Sequence, residues 1–248
     1  MKKIFLAIFF VSASVFVLSA ATLQDAADAY KNQDYSGAVT IYEEILKSDG
    51  VSSGLYYNLG NAYYKNKQYP EAILNYERGL LLSPGDEDIR VNLEMARTKI
   101  TDKIDAMERS FISVWAESLR NIFSSDAWSV IGVVTFLLFL TGIYLYFFTK
   151  TVWLKKLGFF GGALLLVVSL VSNRFAYQQK DKITTRNEAI IMAPSITVKS
   201  SPASSGTDIF ILHEGTKVRV TDKVGEWSEV RIEDGNTGWI PTSKMEVI

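Results

Sequence analysis

The chain has 248 residues, and its 26 Lys and Arg against 27 Asp and Glu give a formal net charge of −1. This balance argues against a nucleic-acid-binding protein, because such proteins carry a basic patch or a high isoelectric point. The sequence contains no cysteine and one histidine, His213, which excludes disulfides and thiolate chemistry and argues strongly against triad and di-histidine metal sites. We therefore expect no catalytic residue, no cofactor and no metal site.

The N-terminal segment, residues 1–21, has the pattern of a signal peptide. Lys2 and Lys3 precede an apolar stretch over residues 4–18, and the small residues 19–21 follow it. The apolar stretch is shorter than the roughly 20 residues that a comfortable transmembrane helix needs. An uncleaved anchor is the alternative, and either interpretation predicts that the next segment lies outside the cytoplasm.

Two segments align at a spacing of 34 residues, because residues 34–43 match residues 68–77. The second copy also has Leu59-Gly60, Ala72 and Pro84 at the spacing of the tetratricopeptide repeat (TPR). The resemblance predicts an α-solenoid TPR domain over residues 22–105, with two repeats and a capping helix from about Asp86 to Asp105. Such repeats stack and leave a concave groove that binds other proteins.

The first helix of each repeat should line this groove. The residues predicted to form the partner-binding groove are Tyr30, Lys31, Tyr57, Asn58, Asn61, Tyr64, Lys65 and Lys99. Amide, ammonium and phenol groups suit the capture of a peptide backbone or a carboxylate. An ordinary solvated surface is the alternative interpretation.

The middle of the chain predicts a two-helix transmembrane hairpin. Residues 127–148 carry no charge and are long enough to span a bilayer, whereas the second apolar stretch, residues 157–173, is short and needs snorkelling lysines at its start. Residues 106–126 predict an amphipathic juxtamembrane helix that lies either in the membrane surface or under the repeats. A buried helical pair in a soluble domain is the alternative to the hairpin.

The segment between the apolar stretches, residues 149–156, contains three lysines and no acid, which predicts a cytoplasmic loop. Together with the signal peptide it places the N- and C-terminal domains on the periplasmic side of the bacterial inner (cytoplasmic) membrane. Four basic residues in the predicted linker, residues 174–187, oppose this topology. We give the signal peptide more weight.

Apolar and polar residues alternate, as is typical of strands, from near Glu188 to the C terminus, and Asp234-Gly235 predicts a hairpin turn. The segments 196–199, 214–218, 226–230 and 237–240 resemble bacterial SH3 (SH3b) domains, so residues 188–248 predict a small SH3-like β-barrel. Trp227 and Trp239 could form its binding face, although core packing is expected for at least one of them. His213 is interpreted as a surface residue at a strand end.

The chain is thus predicted to be a multidomain α plus β membrane protein. The order of its parts, and the helix containing residues 88–94, resemble the BatE proteins of the aerotolerance (Bat) operons. The resemblance implies an envelope complex with von Willebrand type A membrane proteins and a MoxR-type ATPase. We expect an inner-membrane adaptor, or alternatively a cell-wall tether that binds peptidoglycan through the SH3b domain, and we do not expect an enzyme.

Overall fold

The computed structural model describes residues 22–48, 50–104, 107 and 110–248, so the predicted signal peptide lies outside the described residues. Five helices form the first part of the chain. They are α1 (Leu23–Lys31), α2 (Tyr35–Ser48), α3 (Ser53–Lys65), α4 (Tyr69–Leu82) and α5 (Glu87–Arg97). Consecutive helices pack on one another, as expected of a helical repeat.

The turns inside the two helical pairs have the same geometry. Gln33 and Lys67, which are one repeat apart, both have a φ of 64°. The tyrosines that flank each turn meet edge to face, Tyr30 with Tyr35 at 5.3 Å and Tyr64 with Tyr69 at 5.6 Å between ring centroids. The 34-residue period predicted from the sequence is therefore present in the backbone and in the side chains.

Small residues allow the close approach of the helices. A Cβ atom at Gly60 would lie 2.6 Å from the Tyr76 ring, and Ala38 and Ala72 are fully buried. These contacts place the core between the helices, where apolar burial provides most of the stability.

The helices α7 (Ser125–Phe148) and α8 (Val152–Thr185) are long and apolar enough to cross a membrane. A Cβ atom at Gly158 would lie 2.5 Å from the Gly142 carbonyl oxygen, and the Ser169 hydroxyl donates to the Gly132 carbonyl at 2.8 Å. Their outer surfaces expose large apolar side chains, of which Phe160 is 69% exposed. Small residues at the contact and apolar ones outside are typical of helix pairs in lipid.

Two predicted boundaries around the helix hairpin differ from the structure. The loop is limited to residues 149–151, because α8 already begins at Val152. The predicted linker, residues 174–187, is mostly a continuation of α8, since residues 173–185 contain no Gly or Pro to interrupt it. The helix ends where Arg186 takes a left-handed conformation with φ 43°.

The capping helix also ends earlier than predicted. Helix α5 stops at Arg97, and the chain beyond it runs along the C-terminal sheet, where Ile100 packs against Gly215. The predicted juxtamembrane helix is the shorter α6 (Phe111–Arg120), capped by the Ser110 hydroxyl. The segment after Arg97 therefore packs on the C-terminal sheet and does not continue the predicted capping helix.

Seven strands form one antiparallel sheet after α8. They are β1 (Glu188–Ile191), β2 (Ser195–Lys199), β3 (Asp208–His213), β4 (Lys217–Val224), β5 (Trp227–Arg231), β6 (Thr237–Pro241) and β7 (Met245–Val247), with a 3-10 helix at Thr242–Lys244. Their order is β3-β2-β6-β5-β4-β1-β7, and Gly235, with φ 95°, turns β5 into β6. The described pairings leave β3 and β7 as edges, so the sheet is open and the closed barrel remains a prediction.

The sheet is docked on the repeats through β1 and the C terminus. Ile190 and Ile248 are buried in the same apolar cluster as Ile73. Arg78 on α4 donates to Glu246 at 2.9 Å and to the Val247 carbonyl at 2.7 Å. The helical and β parts are thus joined by a shared core and by ion pairs, which the sequence did not predict.

Candidate functional site

Side chains from α3, α4 and α5 form a hydrogen-bonded cluster among the residues predicted to line the groove. The Asn61 side-chain oxygen accepts from the Tyr76 hydroxyl at 2.7 Å and from the Asn92 amide at 2.8 Å. The same Asn92 amide lies 3.4 Å from the Tyr57 hydroxyl. We call Tyr57, Asn61, Tyr76 and Asn92 the groove cluster.

Burial and neighbouring phenols raise the pKa of two tyrosines at this cluster, Tyr76 and Tyr30. Burial raises the pKa of Tyr76, and the nearby phenols of Tyr30, Tyr57 and Tyr64 raise it further. Burial, followed by the neighbouring Tyr35 and Tyr57, also raises the pKa of Tyr30. The groove therefore presents neutral phenol donors, which suit a peptide carbonyl or carboxylate.

The structure brings some of the predicted groove residues together and leaves others at the margin. Asn58 is half-buried, and its side chain makes no hydrogen bond with the residues that the structure describes. Lys31 is exposed and lies 3.6 Å from Asp28, Lys65 is the exposed last residue of α3, and Lys99 lies beyond the end of α5. The lysines form no hydrogen bond or ion pair with the groove cluster among the residues that the structure describes.

Sequence reasoning missed two members of the groove cluster, Tyr76 and Asn92. Tyr76 lies within the segment that matches the repeat, which accounts for its buried ring but not for the hydrogen bond of its hydroxyl. Asn92 lies between Ile89 and Leu93, which are both buried on α5. The available signal was a polar residue beside an apolar stripe, because an amide that is partly buried there usually has a hydrogen-bond partner.

Trp227 and Trp239 lie on the same face of the sheet. Trp239 is paired with Glu229, and Trp227 with Pro241, so all four side chains point away from the buried Val230 and Ile240. Both indoles are half-buried and lie outside the apolar core of the described sheet. The expectation that one of them packs in the core is therefore wrong, because the strand register places both on the outer face.

His213 belongs to the contact between the sheet and the repeats. Its backbone N–H donates to Asp102 Oδ2 at 2.7 Å, its Nδ1 lies 2.6 Å from Asp102 Oδ1, and the Thr216 hydroxyl donates to Oδ2 at 2.7 Å. Burial alone would raise the pKa of Asp102, but these hydrogen bonds lower it below its usual value. The prediction of a simple surface residue at a strand end is corrected by this contact.

No group of three or more His, Asp or Glu side chains suited to a metal occurs among the residues that the structure describes. The polar groups of both candidate faces are donors and acceptors for hydrogen bonds. Their arrangement suits the binding of a peptide or a sugar chain, since both ligands present alternating donors and acceptors.

Comparison with known families identifies two modules. The family model of the tetratricopeptide repeat matches residues 54–86, and that of the bacterial SH3 domain matches residues 194–245. A comparison with curated proteins gives no match. The chain therefore contains a TPR module and an SH3 module, which together indicate protein–protein interaction. Strand β1 and the last residues of β7, which attach the sheet to the repeats, lie outside the matched segment.

Proposed function

We propose that the protein is a non-enzymatic, membrane-anchored adaptor whose TPR groove binds a partner protein. The groove cluster carries this proposal. Asn61 uses its oxygen to hold Tyr76 and Asn92, and its amide nitrogen makes no hydrogen bond to a described residue. That nitrogen and the Tyr57 hydroxyl are placed to bind the carbonyl groups of an extended peptide.

The anchor in this proposal is the α7–α8 pair, inserted as a hairpin in the bacterial inner membrane. The repeats and the sheet contact each other, so both must lie on the same side of the membrane. Lys150, Lys155 and Lys156 lie at the opposite end of the hairpin, and the positive-inside rule favours the cytoplasm for them. The groove and the sheet then face the periplasm.

The resemblance to BatE proteins extends the proposal to a complex. The partners would be von Willebrand type A membrane proteins and a MoxR-type ATPase, in an envelope assembly linked to aerotolerance or stress. An adaptor role agrees with a chain that lacks cysteine and whose one histidine is engaged with Asp102. A thiol-based redox role is not available to it.

The test is partner capture from detergent-solubilised membranes by full-length protein. The variant combines Tyr57→Ala with Asn58→Ala and retains Asn61, because the Asn61 oxygen holds the buried Tyr76 hydroxyl. The control combines Glu44→Ala with Lys47→Ala, both exposed on α2. We expect von Willebrand type A proteins with the wild type and the control and their loss with the groove variant. Equal recovery by all three proteins would contradict a role for the groove.

The Trp227 and Trp239 face favours a second function, a tether that binds peptidoglycan. Two indoles on one sheet face, next to Glu229, offer stacking surfaces and a polar group for a sugar–peptide polymer. Full-length protein in detergent should then sediment with cell-wall sacculi, and Trp227→Ala with Trp239→Ala should abolish this. Trp153→Ala, in the first turn of α8, is the control. Failure of the wild type to sediment removes the tether function.

A further inference from the structure

A large cleft separates the membrane helices from the sheet. Its volume is about 950 Å³, and it is bounded by α6, the polar end of α8 and strands β4 and β5. This is the upper part of the range, roughly 300–1,000 Å³, that small-molecule sites occupy. Neither the groove cluster nor the tryptophan face contributes to it.

The described lining of the cleft is strongly cationic. Helices and their flanking residues contribute Arg97, Arg120, Arg174 and Lys182, and the sheet contributes Lys217, Arg219 and Arg231. The acids are Glu117, Glu188 and Glu233. Seven cations against three carboxylates leave an excess of four positive charges among these residues, and Glu77, which is outside the lining, pairs with Arg97 and Lys217. A cleft with an excess of positive charge attracts anions.

The carboxylates of the cleft leave two guanidinium groups without a counter-ion among the described residues. Glu188 binds Lys217 at 2.8 Å and Arg219 at 3.0 Å, so it is already shared between two cations. Arg174 and Arg231 form no ion pair with the residues that the structure describes, and Arg174 lies 6.0 Å from the centre of the Tyr177 ring. Arg231 is also directly opposite Arg219 across β4 and β5, and like charges in such a pair destabilise a sheet.

Arg120 supplies an independent observation. Its side chain is 14% exposed and pairs with Glu117 at 3.0 Å through Nη2, but its Nε is buried without a hydrogen-bond acceptor among the described groups. A buried N–H of a charged group that lacks an acceptor is costly, so such a group usually has a ligand or water as its partner. The orphan donor and the unpaired guanidinium groups line the same cleft.

The position of the cleft indicates where its ligand comes from. Arg174 and Phe175 directly follow the apolar part of α8, and the Phe175 ring packs on Trp128 at 5.1 Å near the start of α7. This is the level at which aromatic belts and phosphate head groups occur in membranes. Acyl chains of a lipid whose head group entered the cleft would lie along the exposed apolar surface of α7 and α8.

We propose that this cleft binds a phosphate-bearing anion, with Arg120, Arg174 and Arg231 as its principal contacts. The planar guanidinium fork matches a phosphate group and binds it more strongly than a neutral donor does. The phosphate belongs either to an anionic phospholipid or to a free anion. The assignment of the phosphate to a phospholipid rests on the proposed membrane insertion. The binding of a free phosphate anion rests on the charge of the cleft alone.

The experiment uses full-length protein in a neutral detergent and measures binding of phosphatidylglycerol and phosphatidylcholine in mixed micelles, with inorganic phosphate as a competitor. We expect phosphatidylglycerol to bind at least about tenfold more tightly than phosphatidylcholine, a difference of about 1.4 kcal/mol, because charge-assisted contacts to guanidinium groups are stronger than neutral ones. Arg174→Gln and Arg231→Gln should each weaken this binding about tenfold by the same relation. Arg90→Gln, which removes the same charge from the repeats, should leave it unchanged.

The competitor separates the two sources. Inorganic phosphate that binds and displaces the lipid identifies a general phosphate site, whereas lipid binding that resists millimolar phosphate identifies the phospholipid as the ligand. Equal binding of both lipids without phosphate binding, or Arg174→Gln and Arg231→Gln proteins that behave like Arg90→Gln, would overturn the proposal. Partner capture by the groove is measured separately, so a failed lipid experiment leaves the adaptor function standing.

Discussion

Glu77 on α4 connects the repeats to the sheet, and its replacement by glutamine tests that connection. Its Oε2 lies 2.9 Å from Lys217 Nζ on β4, and its Oε1 lies 2.6 Å from Arg97 Nη2. The Glu77 side chain is 9% exposed and that of Lys217 is 22% exposed. Burial lowers the pKa of Lys217, but the carboxylates of Glu77 and Glu188 raise it above its ordinary value. Glu77→Gln keeps the shape of the side chain and removes its charge.

We expect Glu77→Gln to lower the stability of the contact between the sheet and the repeats by about 3 kcal/mol. This is the lower end of the roughly 3–5 kcal/mol that a buried ion pair costs when it loses one partner. The lower end applies because Lys217 keeps Glu188 at 2.8 Å and Arg97 keeps Glu94 at 3.0 Å. The matched control is Glu94→Gln. The Glu94 side chain is 62% exposed and pairs only with Arg97 among the described residues, so about 0.5 kcal/mol or less is expected.

Hydrogen–deuterium exchange of the full-length protein in detergent measures this difference. A loss of 3 kcal/mol corresponds to a more than 100-fold increase in the exchange rate of amides that open with the interface, since 1.36 kcal/mol is tenfold. The amides of β1 and β4 should show this increase in Glu77→Gln, and those at the centre of α7 should not. If Glu77→Gln and Glu94→Gln exchange alike, the ion pair does not hold the sheet on the repeats.

Three further predictions concern the acid side of the interface, the helix hairpin and the groove. Burial raises the pKa of Glu188, but attraction and hydrogen bonds from Lys217 and Arg219 lower it to about 2. The ionised Glu188 therefore contributes about 3 kcal/mol to the free energy of unfolding above pH 4.5, and this contribution is lost as the pH falls towards 2. Acid unfolding of Glu188→Gln should lack this pH-dependent loss. Gly158→Leu should disrupt the hairpin in a helix-crosslinking assay, whereas Gly161→Leu, where a Cβ meets only its own helix at 3.9 Å, should leave it intact. Tyr76→Phe should lower the free energy of unfolding by about 1 kcal/mol in urea titration, because one buried hydrogen bond is lost while the ring is retained.

The sequence predicted the elements whose signals are local. The 34-residue period, the hairpin turn at Gly235 and the two apolar helices all depend on patterns within a short window, and the structure contains each of them. The docking of the sheet on the repeats could not be predicted in this way. Glu77 and Lys217 are 140 residues apart, and each resembles an ordinary surface charge in its own segment.

The groove was predicted in part for the same reason. Helical periodicity placed Tyr57 and Asn61 on one face of α3, and the structure confirms that they lie close together. Their partners come from α4 and α5, whose positions depend on how the helices stack. The structure places both tryptophans on one outer face of the sheet, whereas core packing of one was expected, because the register between β5 and β6 is not visible in the sequence.

The continuity of α8 has a mechanical consequence. The polar end of the helix, from Arg174 to Thr185, adds about 18 Å at 1.5 Å per residue and leads directly into β1. If the apolar part of the hairpin is in a bilayer, this end extends from the membrane as a continuous helix of fixed length. The sheet follows this helix directly and packs against the repeats, so the distance between the groove cluster and the lipid surface would be fixed. A partner anchored in the same membrane would present its binding segment at that height, whereas a freely diffusing protein would gain nothing from it.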